Sequence, residues 1–325
     1  MEDSTTREFV LDGFAPPLTV RRKDWEPAYR WLGEKEIAQR AAALQAVCQA
    51  CRLCPRQCGV DRTAGGKGVC GAGLAARVAS WHPHFGEERP LVGSGGSGTI
   101  FFSRCNLLCV YCQNWEISHL GMGQDVTDDE LAAVMLGLQL RGCHNINCVT
   151  PSHVVPNILG ALRIAMLREL RIPLVYNCSG YESVDVLRLL DGIVDIYLAD
   201  CKYTDPAVAA KYSRGAADYP EICAAAITEM HRQVGHLQVD EQGIAVRGLI
   251  IRHLVLPDNL AGTDQFVQWV ARSLGRDTYV NIMAQYRPAH QARRYPEINR
   301  SITSAAYARA IGWARAAGLT NLDRD

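Results

Sequence analysis

From residue 95 onward, short apolar runs alternate along the chain with longer stretches whose apolar positions follow a helical spacing. The runs predict six strands, at residues 99–102, 146–149, 173–176, 193–199, 246–256 and 278–283. The stretches that follow them predict six helices, at residues 128–140, 159–170, 183–190, 220–234, 264–274 and 304–317. This order favours parallel βαβ units, in an open doubly wound sheet or a partial barrel. Both architectures carry function on loops at the carboxyl ends of the strands.

The first 94 residues follow a different pattern and predict an N-terminal extension to a core formed by residues 95–325. Residues 1–22 are polar and irregular, as in a tail, whereas residues 24–50 contain good helix formers. Clustered glycines at residues 65–68 predict turns. Residues 81–90 show no periodicity, so no regular element is predicted there.

Composition excludes several classes of protein. The 34 basic and 34 acidic residues cancel, so no basic field indicates nucleic acid or a membrane surface as a partner. No apolar stretch approaches the roughly 20 residues of a membrane span. Met1-Glu2-Asp3-Ser4 is not followed by the apolar run of a signal peptide, so we expect a cytoplasmic protein.

Thirteen cysteines are many for a reducing compartment, where metal binding is a better explanation than disulfides. Cys105, Cys109 and Cys112 have CxxxCxxC spacing and directly follow the first predicted core strand. Three such thiolates can hold three corners of a 4Fe–4S cluster and leave one iron open for another ligand. A structural zinc loop is the alternative, but zinc motifs normally come as two cysteine pairs.

This motif, with an aromatic residue before its last cysteine, resembles the radical S-adenosylmethionine superfamily. The resemblance covers roughly residues 48–300 and is greatest to the subgroup of the pyruvate formate-lyase activating enzyme. It is carried by CRLCPRQCGVDR from Cys51, HFGEE from His84, GSGTIFF from Gly96, VTPSH from Val149, IRHLVLPD from Ile251 and NIMAQYRP from Asn281. It implies a partial (β/α)6 barrel in which a reduced cluster cleaves S-adenosylmethionine to a 5′-deoxyadenosyl radical that abstracts hydrogen.

The resemblance also implies residues that bind S-adenosylmethionine, although it identifies no catalytic residue. Tyr111 corresponds to a position near the adenine, and Arg252 to one that faces the carboxylate. The turn and the DxK motif beside the methionine moiety supply four more candidates, which are Asn177, Ser179, Asp200 and Lys202. Thr150-Pro151-Ser152-His153 replaces the usual glycine-glycine-glutamate, so Ser152 or backbone carbonyls would have to bind the amino group.

A second cysteine cluster lies in the extension. The favoured ligand set is Cys51, Cys54, Cys58 and Cys70, and an alternative set starts at Cys48. The spacing suits a second iron–sulfur cluster, which we favour, or a zinc ion. The remaining five cysteines are predicted to be buried packing residues, namely Cys143, Cys148, Cys178, Cys201 and Cys223. His153 and His290 suit structural and chemical roles equally.

Three functional hypotheses follow. The first is a radical S-adenosylmethionine oxidoreductase that activates a glycyl-radical enzyme and so acts on a protein substrate. The second is a radical enzyme that modifies a small molecule or peptide. The third is a non-enzymatic iron–sulfur electron carrier, which the long βα framework disfavours. The resemblance implies reduced flavodoxin or ferredoxin as electron donor.

Overall fold

The computed structural model describes residues 17–323 of the 325-residue chain. Most of the predicted tail, and the residues considered for a signal peptide, lie outside this range. Leu18 and Thr19, at the end of that predicted tail, pair with another strand instead of remaining irregular. Within the described range, no helix is both long enough and apolar enough to cross a membrane.

The described strands form a mixed sheet whose centre is parallel. Their bounds are β1 Leu18–Thr19, β2 Ala76–His84, β3 Ser97–Phe102, β4 Gln124–Val126, β5 Ile146–Val149, β6 Leu174–Cys178, β7 Ile196–Asp200, β8 Gln238–Val239, β9 Ala245–Leu254 and β10 Tyr279–Met283. The strands β3, β5, β6, β7, β9 and β10 are parallel neighbours in that order. In the part described, β3 and β10 do not pair with each other, so this series of six strands is open. The predicted α/β fold is therefore confirmed.

Helices connect the strands and cover the sheet. Their bounds are α1 Ala28–Leu32, α2 Glu34–Val47, α3 Arg89–Val92, α4 Asp128–Leu140, α5 Val155–Leu167, α6 Val184–Leu189, α7 Pro206–Tyr212, α8 Tyr219–Val234, α9 Thr263–Ser273 and α10 Ser304–Ala316. The prediction for α4 is confirmed at both ends. A capping box starts this helix, since the Thr127 side chain accepts from the Glu130 backbone and the Glu130 carboxylate accepts from Thr127.

The structure corrects the prediction for residues 81–90, where no regular element is expected, because β2 extends into this stretch as far as His84 and α3 begins in it at Arg89. β2 pairs antiparallel with β3 from Val78 to His84, and its first residues pair with β4. Two of its side chains, those of Ser80 and His82, are exposed, and the sequence of the strand lacks a clear apolar alternation. Pairing with β3 therefore determines this strand, and local sequence does not.

The two faces of the parallel strands bury different sets of side chains. One face packs against the helices in the main apolar core. The opposite face forms a smaller apolar cluster with Leu91 of α3, and the strand residues in it include Val175, Leu198, Ile250 and Tyr279. Two positions further along each strand, the same face carries polar residues, which are Asn177, Asp200, Arg252 and Asn281. The inner face thus changes from apolar to polar toward the carboxyl ends of the strands.

His253 connects two strands to a helix behind this polar layer. Its Nδ1 donates to the Cys201 carbonyl at 2.7 Å, so the Nε2 of the neutral ring accepts from the Thr263 hydroxyl at 2.9 Å. The ring stacks on Phe266, with the two ring planes 7° apart. Burial lowers the pKa of His253 to about 4.

We predict that His253 makes the fold sensitive to acid. Below its ordinary pKa of 6.5 the unfolded histidine binds a proton that the folded one excludes, so stability falls as the pH drops from 6.5 to about 4. At 1.36 kcal/mol per pKa unit, the loss is about 3 kcal/mol. Urea unfolding across this range should show a shallower decline for His253→Gln than for wild type. The exposed His82→Gln should retain the wild-type slope, and an unchanged slope in His253→Gln would contradict the prediction.

Candidate active site

The three-cysteine loop leaves β3 at its carboxyl end and is held by backbone contacts to distant segments. The amide of Arg104 donates to the Ile117 carbonyl, and the amide of Val110 donates to the Tyr212 carbonyl. The Val110 carbonyl in turn accepts from Gln291. These contacts fix the loop between the first and last parts of the parallel series.

The thiols of the loop have polar neighbours but are largely shielded from water. Cys109 lies 3.2 Å from the Ser213 hydroxyl, and Cys112 accepts a hydrogen bond of 3.2 Å from Ser118. Burial, with the neighbouring Cys109 as the second cause, raises the pKa of Cys105 to about 12. Burial also raises the pKa of Cys109, although nearby Lys202 lowers it. Without a metal these two thiols are therefore neutral, whereas a bound metal deprotonates its thiol ligands.

A cavity of about 310 Å³ collects the candidate residues of the loop and of three strands, β6, β7 and β9. This size is within the usual range for a small-molecule site. The predicted residues that line it are Cys105, Cys109, Tyr111, Cys112, Asn177, Ser179, Asp200, Lys202 and Arg252. Apolar side chains, including Phe102, Leu107 and Met283, line other parts of its wall. The candidates from the core thus lie around one space, as the carboxyl-end rule predicts.

Arg252 is the centre of the polar layer beside this cavity. Its guanidinium donates to Asp200 at 2.7 Å, to Asn177 at 2.7 Å and to Glu87 at 3.2 Å. Lys202 donates to the other oxygen of Asp200 at 2.6 Å. The Arg252 fork is thus largely engaged by protein groups, and its role toward a ligand carboxylate stays a prediction.

The pKa values of the two acidic partners of Arg252 are shifted in opposite directions. Burial alone would raise the pKa of Asp200, but Arg252 and Lys202 lower it below its ordinary value, so this carboxylate stays ionised. Burial raises the pKa of Glu87 to about 7, because Arg252 only partly compensates and Glu88 and Asp200 repel its charge. Near neutral pH the polar layer therefore exists in two charge states, one with Glu87 ionised and one with Glu87 protonated.

Two residues of the cavity leave features that a ligand would complete. The Ser179 hydroxyl is buried and has no hydrogen-bond partner in the described residues. Tyr111 is buried edge-on against Tyr286, with 5.7 Å between ring centroids. An unpaired hydroxyl beside an apolar wall suits a ligand with both polar and apolar parts.

The second cysteine set forms a compact turn structure in the extension. Backbone bonds join Cys51 to Gly59 and Cys54 to Gln57, and the Cys58 sulfur accepts from Val69 at 3.3 Å. Burial raises the pKa of Cys70, and the neighbouring thiols of Cys51 and Cys58 raise it further. Cys48 adjoins this turn structure, because its carbonyl accepts from the Arg62 amide, and its thiol donates to the Leu44 carbonyl of α2. The favoured set of four thiols therefore lies together.

Arg56 joins the second cysteine set to the first. This residue lies between Cys54 and Cys58, and its guanidinium donates to the carbonyls of Asn106, Ser213 and Arg214 at 3.0 Å each. It also lies over the ring of Tyr181. The two cysteine motifs are thus linked through one side chain.

Several other predicted positions are engaged within the protein. Ser152 is buried and donates to Glu182 at 2.5 Å, so its hydroxyl is not free for a ligand. His153 is also buried and donates to the Ser103 carbonyl, and burial lowers its pKa to about 4. His290 stacks on Trp115 near the cysteine loop. The five cysteines predicted to be packing residues are all buried, which confirms that prediction.

The three-cysteine loop has the donors that an iron–sulfur cluster requires. Its thiols are largely shielded from water, and the cation of Lys202 lies near the thiol of Cys109. These groups fit an anionic iron–sulfur cluster at this position. In the chain from residue 17 to residue 323, no group of three or more histidine, cysteine or acidic side chains is arranged to bind one metal ion.

Sequence reasoning missed Glu87, Ser213 and Arg56. Glu87 reaches Arg252 across 165 positions of sequence, and Ser213 reaches Cys109 across 104 positions. The HFGEE and CRLCPRQC motifs contain Glu87 and Arg56, so the motifs themselves were the available signal. Ser213 lies in no such motif.

The fold and the cavity define an α/β protein with a three-cysteine loop at the carboxyl edge of its parallel strands. No protein-family model matches the chain. The uncharacterized protein MJ0674 of Methanocaldococcus jannaschii is 30% identical over 269 residues, which span 80% of this chain and 73% of that protein. The chain belongs to the same family as MJ0674.

Two solved structures are similar in part. A radical SAM methyltransferase from Sphaerobacter thermophilus aligns with a TM-score of 0.46 and 18% identity, over 69% of this chain and 64% of its own. The chain thus spans less than two thirds of that methyltransferase. TYW1 with a lysine-pyruvate adduct aligns with a TM-score of 0.42 and 9% identity, over 69% of this chain and 74% of its own. Both TM-scores are below 0.5, so neither likeness bears on function.

We predict that Arg252→Gln strongly destabilises the protein. Removal of this cation leaves Asp200, Glu87 and Glu88 with too little compensating charge, which typically costs about 3–5 kcal/mol at a buried pair. The loss should be largest at pH 8 and smaller at pH 6, where a proton can neutralise Glu87. Urea unfolding measures both values, and Arg309→Gln on the exposed side of α10 is the control. A loss below about 1 kcal/mol at pH 8 would refute the buried-charge argument.

Proposed function

We propose that this chain is a radical S-adenosylmethionine enzyme. The observation that carries the proposal is the shared cavity of Cys105, Cys109 and Cys112 with the candidate residues at the ends of the parallel strands. In this proposal the three thiolates hold a 4Fe–4S cluster. When bound, the cluster and S-adenosylmethionine supply reductive cleavage of the sulfonium and hydrogen abstraction.

The residues of the chain have separate tasks in this proposal. Lys202 places positive charge near Cys109 and so favours its thiolate. Asp200 remains ionised between Lys202 and Arg252, which fixes the direction of both cations. The Ser179 hydroxyl supplies a hydrogen bond to the polar end of the ligand. Phe102 and Leu107 contribute apolar wall that limits the entry of water.

For the second cysteine set we propose a second iron–sulfur cluster in preference to zinc. Arg56 belongs to the second cysteine segment and contacts the backbone of Asn106 in the first, which supports a centre that communicates with the first. Reduced flavodoxin or ferredoxin is the proposed electron donor. The ligand set in this proposal is Cys51, Cys54, Cys58 and Cys70.

Metal analysis and a cleavage assay test the proposal together. Anaerobically purified wild-type protein should contain about eight irons for two cubane clusters, and the reduced protein should release 5′-deoxyadenosine. Replacement of Cys105, Cys109 and Cys112 by Ala should leave about four irons and abolish cleavage. The matched control replaces the packing residues Cys143, Cys148 and Cys223 by Ala, and should retain both properties.

Other outcomes of the same experiment are equally informative. About four irons in the wild type, none in the triple variant and one retained zinc would make the second site structural. A protein with iron that neither binds nor cleaves S-adenosylmethionine would be an electron carrier, and the proposed function would be wrong.

Two substrate classes remain as candidates. Activation of a glycyl-radical enzyme is supported by the subgroup resemblance, and modification of a small molecule is supported by a second cavity beside the first. We expect electron paramagnetic resonance to separate them, after incubation of the reduced enzyme and S-adenosylmethionine with a glycyl-radical protein. A glycine-centred signal means activation. Its absence, with continued release of 5′-deoxyadenosine, favours the small molecule.

A further inference from the structure

A second cavity of about 230 Å³ adjoins the first inside the open barrel. Its walls come from the segment 86–89 and from the ends of β9 and β10. Arg252, Met283 and Gln285 line both cavities. A molecule in the second cavity would therefore lie directly beside the proposed cofactor.

Glu88 of this cavity carries an unsatisfied carboxylate oxygen. The residue is 4% exposed, and its Oε1 accepts a hydrogen bond of 3.0 Å from the Asn281 amide. Its Oε2 is buried and accepts no hydrogen bond from any described residue. A buried carboxylate oxygen without a donor is costly, so this atom indicates a donor supplied by a ligand.

The charges around Glu88 indicate that the missing donor is a cation. Three carboxylates, on Glu87, Glu88 and Asp200, share the two cations of Arg252 and Lys202. At the edge of the cavity lie the exposed Arg89 and the half-buried Asp323, which add one positive and one negative charge to this count. One negative charge is thus in excess when all these groups are ionised.

The size of the cavity favours an organic cation over a bare metal ion. One water molecule needs only about 10–15 Å³ of such space, so a bare ion would fill a small part of it. An alkylammonium group offers three N–H donors to the carboxylates, and its carbon chain can contact Met283. The combination therefore suits a small aliphatic amine.

We propose that this cavity binds the primary ammonium group of a small-molecule substrate, with Glu88 as its principal acceptor. Its role as a substrate site rests on the proposed function, whereas amine binding itself does not. Glu88 orients the ligand. Arg252 lines both this cavity and the cofactor cavity, and so separates the two ligands.

Isothermal titration calorimetry with n-butylammonium chloride tests the proposal on anaerobically reconstituted protein without S-adenosylmethionine. One equivalent should bind to the wild type, while the neutral n-butanol should not bind. Glu88→Gln removes the excess charge, so this variant should fold and bind butylammonium at least tenfold more weakly. Glu221→Gln, an exposed acid on α8, is the matched control and should bind as the wild type does.

Failure of the wild type to bind butylammonium would overturn the inference, and so would three other results. They are equal binding of butylammonium and butanol, unchanged affinity in Glu88→Gln, and complete displacement of butylammonium by potassium that binds tightly alone. A protein that cleaves S-adenosylmethionine but does not bind butylammonium would refute only the amine site. A protein that binds butylammonium through Glu88 but never cleaves S-adenosylmethionine would refute the proposed function and leave the binding site intact.

Discussion

The buried guanidinium of Arg252 joins parts of the chain that are far apart in sequence. Its partners are Glu87 from the extension, Asn177 from β6 and Asp200 from β7. Buried charges lose much of their hydration, and a pair of this kind is retained only when the geometry satisfies most of its donors and acceptors. Asp200 meets this condition because Lys202 occupies its second oxygen. The position of the cavity follows from this set of contacts.

The inner face of the strands explains why this charged layer lies at the carboxyl edge. Ile250 and Arg252 point to the same side because side chains alternate along a strand. Ile250 belongs to the apolar inner cluster, whereas Arg252, two residues further along the strand, lies in the polar layer. The same change occurs in β7 between Leu198 and Asp200. Apolar side chains thus fill the barrel toward the amino ends of the strands, and charged groups line it at the carboxyl ends.

Sequence patterns predicted the parts of this structure that local physics determines. The helix at 128–140 could be delimited because Thr127 and Glu130 cap it, and each apolar run of the core became a parallel strand. The strand β2 could not be predicted, because its pairing with β3 replaces the missing alternation. The candidate site divides in the same way. Regular cysteine spacing is visible in the sequence, whereas Glu87 acquires its surroundings from strands more than 80 residues away.

The extension contributes to the core in several places, so it is more than an appended cysteine-rich segment. Leu91 fills the inner apolar cluster, and the adjoining acids at 87 and 88 supply two of the three inner carboxylates. Arg56 holds the backbone of Asn106 within the cysteine loop. A boundary at residue 94 separates sequence patterns, but the packing crosses it at the apolar cluster, at the charged layer and at the loop. Changes that displace Glu87 or Glu88 therefore alter the charge balance around Arg252, and changes that displace Arg56 alter the support of the cysteine loop.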